Sequence, residues 1–311
     1  MRRIGMGVMS VALVAATAWL APAQAQTQQQ RDWCYKDGAT DDQTIEGCSA
    51  VLESPQTSEK NRAIAYYNRG VAYANKKDYD RAIANYDKAI ELNAEDPDFF
   101  IDRGIAYKNK GDFDKAIGNY SYAIRLDPKQ SRAFNNRGLA WRNKRDYDRA
   151  IADYDEAIRL RPNYPLAFNN RGVAYSNQGN HARAVADYDT AISQDPKHVM
   201  ALGNRCWSRF VLARLPEALA DCDESLRLRP GDADVLDSRG FAHLRLGNYP
   251  MAIADFNEVL GLEPKNAGSL FGRGVARRKS GDLQGGNEDI AAAKVIEPRV
   301  AERYLRYDVR P

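Results

Sequence analysis

Seven arginines stand 34 residues apart: Arg69, Arg103, Arg137, Arg171, Arg205, Arg239 and Arg273. Sixteen residues after each comes a side chain that can accept from it: Asn85 and Asn119, then Asp153, Asp187, Asp221, Asp255 and Asp289. Two chemistries suit such columns. A half-buried guanidinium needs a partner, so the two rows can pair and stitch helix to helix. Alternatively, seven cations in a row grip an anionic partner. The acids stand in register with the arginines, which favours pairing. The residue before each arginine forms a further column: Asn68, Asp102, Asn136, Asn170, Asn204, Ser238 and Gly272. An asparagine amide offers both donors and an acceptor. A column of them can hold the backbone of an extended peptide, or can bond along itself as a purely structural ladder.

Catalytic chemistry has fewer candidates. His181, His198 and His243 are scattered, and no His-Glu-x-x-His, glycine-rich phosphate loop or Gly-x-Ser-x-Gly occurs. The four cysteines, Cys34, Cys48, Cys206 and Cys222, include no Cys-x-x-Cys and no Cys/His cluster. No catalytic residue, metal site or cofactor is therefore expected. The 311 residues are 44% hydrophobic and 28% charged, which suits a soluble folded protein. Without Arg2 and Arg3, 43 basic residues face 42 acidic ones, well interspersed. That balance exerts no long-range pull toward nucleic acid or anionic lipid.

The elements that must position these columns repeat with the same period. From Ala63 to Val300, seven copies of 34 residues follow one another. The eighth place reads Gly70, Gly104, Gly138, Gly172, Cys206, Gly240 and Gly274; the twentieth is alanine in six copies and Gly286 in the last. The thirty-second is Ala94 and then proline six times. Each copy carries two amphipathic helical patterns, such as Phe168, Gly172 and Tyr175, then Ala184, Tyr188 and Ala191. Gly111, Gly179, Gly247 and Gly281 can end a first helix in the left-handed conformation. Asp78, Asp112, Asp146 and Asp282 can cap the next one, and the prolines stop it.

This pattern resembles the tetratricopeptide repeat, on the aromatic or leucine at place four, glycine at eight, tyrosine at eleven, alanine at twenty and twenty-seven, an aromatic at twenty-four and proline at thirty-two. The resemblance implies an all-α, right-handed superhelical solenoid of stacked helix–turn–helix pairs, whose first helices line a concave groove. The family usually has an aliphatic residue where the arginines stand. The sixth place faces the groove in this family, so Asn68, Asn136, Asn170 and Asn204 are expected to bind peptide. A carboxylate clamp would need lysine at the fifth place and asparagine or arginine at the ninth. Here those places hold Asn135 and Asn169, then Leu139 and Val173, so the rest of the clamp is missing. Another column, Asn75, Asn109, Asn143 and Asn177, reads as helix-ending chemistry. Beyond the fourth copy Trp207, Phe210, Val211, Phe241 and Leu244 make the groove apolar. They are expected either to anchor a partner or to lie under a neighbouring helix.

The same register bears on the cysteines, which allow three pairings. Cys206 takes the glycine place and Cys222 the aromatic place of the fifth copy, sites that face each other in one unit; they are expected to pair. "TIEGCSAVL" aligns with "AIANYDKAI", so Cys48 also falls at the aromatic place and Cys34 is its expected partner.

The expected division is a signal peptide over 1–25, a degenerate disulfide-stapled helical N-cap over 26–62, seven repeats over 63–300 and a polar C-terminal cap over 301–311. The signal reading rests on Arg2 and Arg3, the apolar "VALVAATAWLA" and small Ala23 and Ala25. It predicts an exported protein, periplasmic if bacterial, with no membrane span in the mature chain. The expected function is a non-enzymatic scaffold that binds a partner protein or extended peptide in its groove, with no nucleic acid. The alternative is an accessory or assembly subunit of an envelope enzyme or secretion complex. The sequence leaves the oligomeric state open.

Overall fold

The computed structural model describes residues 27–310, so the expected signal peptide lies outside the described residues. Among the described residues there are seventeen helices and no strand. The chain divides into two compact units between Asn93 and Ala94.

The first unit holds α1 (Gln28–Tyr35), α2 (Asp41–Glu53), α3 (Glu59–Asn75) and α4 (Tyr79–Leu92). Thr27 and Thr40 start α1 and α2 with capping boxes closed by Gln30 and Gln43. The Cys34–Cys48 disulfide joins the two helices at a Cα separation of 4.6 Å. Gly47 lets them approach: a Cβ there would lie 2.4 Å from the Gln30 carbonyl oxygen. Helix α3 begins before the expected repeat start at Ala63, because Ser58 caps it by accepting from the Asn61 N–H.

The second unit begins with α5 (Pro97–Asn109), α6 (Phe113–Leu126), α7 (Ser131–Asn143), α8 (Tyr147–Leu160), α9 (Pro165–Asn177) and α10 (His181–Gln194). It continues through α11 (Val199–Val211), α12 (Leu215–Leu228), α13 (Ala233–Arg245), α14 (Tyr249–Leu262), α15 (Ala267–Lys279), α16 (Leu283–Ile296) and α17 (Val300–Leu305). Odd and even helices pack in consecutive pairs, and each even helix packs on the next odd one from α6 to α15.

One construction recurs. The turn inside a pair closes when the N–H of Asp112 bonds the Tyr107 carbonyl and that of Gly111 bonds Lys108, with Gly111 at φ +84°. Asp112 then accepts from the Lys115 N–H to start α6. Asp78, Asp146 and Asp282 do the same in their copies. The left-handed turn position is not always glycine: Lys77, Arg145 and Ala213 take it at φ +61°, +62° and +59°. In five of the seven pairs the large ring of place twenty-four lies on the glycine of place eight, and in the last Ile290 takes the ring's place. A Cβ on Gly138 would sit 2.8 Å from Tyr154 Cε1, and one on Gly240 2.8 Å from Phe256 Cε1. In the fifth copy the Cys206–Cys222 disulfide fills this same place, with Cα atoms 5.4 Å apart.

All seven arginines of the column are paired within their own copy. Arg69 and Arg103 donate to Asn85 and Asn119; the other five hold Asp153, Asp187, Asp221, Asp255 and Asp289. A second row was not anticipated from sequence. Arg171, Arg205 and Arg239 also reach back to Asp155, Asp189 and Asp223 of the preceding copy, and Arg137 and Arg273 to Ser121 and Asn257. Each of these five guanidiniums thus ties its own second helix and the one before it. Burial pushes the Asp187 carboxyl above its ordinary range, against the pull of Arg171. With both forks occupied, the column does not present free cations.

The C-terminal segment packs against apolar first helices through its own apolar residues. It forms α17 and buries Val300, Tyr304 and Val309. Tyr304 stacks on Phe241 with centroids 4.2 Å apart, and Tyr307 meets Phe210 at 5.8 Å. The physical reason is the apolar first helices of copies five to seven, which need a cover and receive it from the chain itself.

Candidate partner-binding groove

The sixth-place asparagines have different environments. In the first unit Asn68 donates to the Cys34 carbonyl at 2.8 Å, and Asn75 donates to Asp41 at 2.9 Å. In the second unit Asn170 donates to Asn135 and Asn204 to Asn169, each at 3.0 Å. These bonds join successive first helices, α7 to α9 and α9 to α11, so those amide donors serve the ladder. Asn136 has no such bond among the described residues, because the preceding copy has Ile101 at the fifth place.

Phe210 and Phe241, expected as groove anchors, are fully buried and covered by Tyr304 and Tyr307. Neither is open to a partner in this structure. They lie under the chain's own aromatic residues, the second of the two alternatives read from the sequence. Trp207 is only partly buried, with its ring 5.4 Å from that of Tyr307.

Trp207 and Asn204 line a cavity of about 490 Å³ between α11 and α13. Its other walls include Met200, Gly203, Asp234 and Asp237. Places two, five, six and nine of α11 fall on one helical face, which explains why Met200, Gly203, Asn204 and Trp207 converge. Gly203 keeps the floor low: a Cβ there would approach Val235 Cγ2 to 2.8 Å. Asp237 accepts from the Ser269 hydroxyl of α15, and burial pushes its carboxyl up to about 7. Asp234 is exposed at the rim. The sequence reading missed Met200, Gly203, Asp234 and Asp237. Their signal is a break in the fifth-place column, where Asn135 and Asn169 give way to Gly203 and then Asp237.

Paired helices carried on a repeating unit, with an open cavity between first helices, define a solenoid scaffold of the protein-interaction class. The chain belongs to the tetratricopeptide-repeat family: profiles of that repeat match residues 63–96, 101–165, 165–198 and 239–294. No curated protein sequence matches it. Among solved structures, a chain of the APC/C hetero-tetramer Cut9–Hcn1 is similar, with a TM-score of 0.64 and 16% identity over 86% of this chain and 52% of that one. PilW, described as a widely conserved type IV pilus biogenesis factor, has a TM-score of 0.59 at 19% identity, covering 65% of this chain and 94% of its own. YrrB, a tetratricopeptide-repeat protein with an unusual peptide-binding site, has a TM-score of 0.50 at 20% identity over 60% and 95%. At these identities the likeness establishes the fold.

Proposed function

We propose that this chain is an exported, non-enzymatic scaffold that holds an extended segment of a partner protein against the first helices of its second unit. The observation that carries this reading is the open cavity between α11 and α13. A concave, mixed polar and apolar site with a partly exposed tryptophan suits a side chain of a docked peptide. Two disulfides support export, because paired thiols persist in oxidising compartments. No helix of the described residues is long and apolar enough to cross a membrane.

A photo-crosslinking residue at exposed Met200 tests the reading, with one at exposed Val295 for comparison. Crosslinks to a discrete partner from Met200 support the groove. Crosslinks from Val295 alone transfer the function to the end of the solenoid. That second reading, an accessory subunit docked end-on, is favoured by one observation: Leu283, Val295 and Ile296 of the last helix pair stand exposed, Val295 to 85%.

A further inference from the structure

We propose that the cavity between α11 and α13 is a specificity pocket for a cationic side chain, lysine or arginine, of the docked segment; the proposal rests on the groove reading above. The argument starts from carboxylates. Along the arginine column every second-helix aspartate at place twenty-three is gripped by a guanidinium. The two acids that α13 presents to the cavity are not. Asp234 has no hydrogen-bond or ion-pair partner for its carboxylate among the described residues. Asp237 accepts only from the neutral Ser269 hydroxyl. The one cation in the lining, Arg229, is already paired with Asp232. The pocket therefore holds two carboxylates that lack a direct ion-pair partner among the described residues, which is the inverse of a site for a peptide carboxylate.

The facing wall matches. In the third copy Trp141 carries Arg149 3.7 Å above its ring, whereas Trp207 has no cation over it among the described residues. A partly exposed tryptophan ring lining the same cavity as two carboxylates suits an ammonium or guanidinium by charge and by its ring quadrupole. Met200 and Val235 border the same space and suit the methylene stem of such a side chain. Gly203, at a place that holds Asn169 in the preceding copy, supplies the volume.

The groups facing Asp237 are Asp234 on its own helix, Glu263 after α14, Ser269 on α15, and Arg303 and Tyr304 on α17. Arg303 is the only cation among them, and it is paired with Glu297. A bound cation favours the ionised form of Asp237. Affinity for a cationic segment is therefore expected to rise as pH increases through about 7.

Selection of displayed random peptides on the immobilised full chain tests this, run in parallel on wild type, the Asp234→Asn/Asp237→Asn double variant and Trp207→Ala. The amide substitutions keep shape, and thermal melting verifies folding. The expected result is lysine or arginine enriched at one position by wild type, with a selected peptide binding the double variant at least about tenfold more weakly. Acetylating that lysine should reproduce the loss, and binding should strengthen from pH 6 to pH 8. Selection of neutral or acidic peptides that still need Trp207 would overturn the cationic assignment and leave the groove reading standing. Absence of any enriched peptide would overturn both.

Discussion

The guanidinium of Arg171 grips the carboxylate of Asp187 through two parallel hydrogen bonds of 2.9 and 2.6 Å, and its remaining arm reaches Asp155 of the preceding copy. The pair is nearly buried, and burial opposes the aspartate's charge. Such a pair stabilises little relative to apolar residues but is costly to break. Asp187→Ala should lower stability by about 3 kcal/mol, because Arg171 keeps only the exposed Asp155. Replacing Arg171 and Asp187 together with methionine should cost much less. Denaturant melts of both variants decide it: equal losses would mean that the ladder contributes by simple attraction.

The Asp237 carboxyl gives stability a pH dependence of known sign. Its folded value, about 7, lies above the ordinary value of about 4. Between the two, the folded protein keeps a proton that the unfolded chain releases, so raising pH through this window favours unfolding. Wild type should lose thermal stability relative to Asp237→Asn from pH 4 to pH 7, with the difference levelling off above it. Parallel melting curves at all pH values would contradict the buried environment, without a direct ion-pair partner, assigned to this group.

Arg145 holds a left-handed turn at φ +62°, a place that Gly111 and Gly179 occupy in neighbouring copies. A side chain is strained there and glycine is not. Arg145→Gly should raise stability by about 0.5–1 kcal/mol, against the usual cost of a new glycine. Gly179→Ala, at φ +80°, should lower it. Melting temperatures moving the other way would refute the turn geometry.

The two disulfides each close a short loop, between Cys34 and Cys48 and between Cys206 and Cys222. Loops of this size stabilise by roughly 3 kcal/mol in the chain-entropy model. Non-reducing peptide mapping of oxidised protein should recover these two links alone. Reduction should raise hydrogen exchange first in α1, α2, α11 and α12. A Cys48–Cys206 link, or uniform loosening along the chain, would argue against this arrangement.

Much of this molecule is legible in its amino-acid order, because a 34-residue unit repeats its local rules. Gly138 against Tyr154, the Asp112 cap, the Arg171–Asp187 pair and both disulfides follow from counting places within a repeat. Such contacts lie within one helix pair, where the spacing of residues on two packed helices decides which side chains meet. Register also placed Asn204 and Trp207 on one face of α11, where they line a common cavity.

Tertiary structure decided what the repeat cannot encode. Whether Phe210 and Phe241 are open depends on Tyr304 and Tyr307, which come from a segment outside the repeating pattern and fold back by burying apolar surface. The asparagine ladder skips Asn136 because Ile101, at the place where Asn135 and Asn169 accept in the next copies, has no side-chain acceptor. That Asp234 and Asp237 lack a direct ion-pair partner is a property of the finished cavity. Sequence supplies the carboxylates, but only the packing of α11, α13, α15 and α17 determines which cations reach them, since ion pairing acts through distance in space and not along the chain.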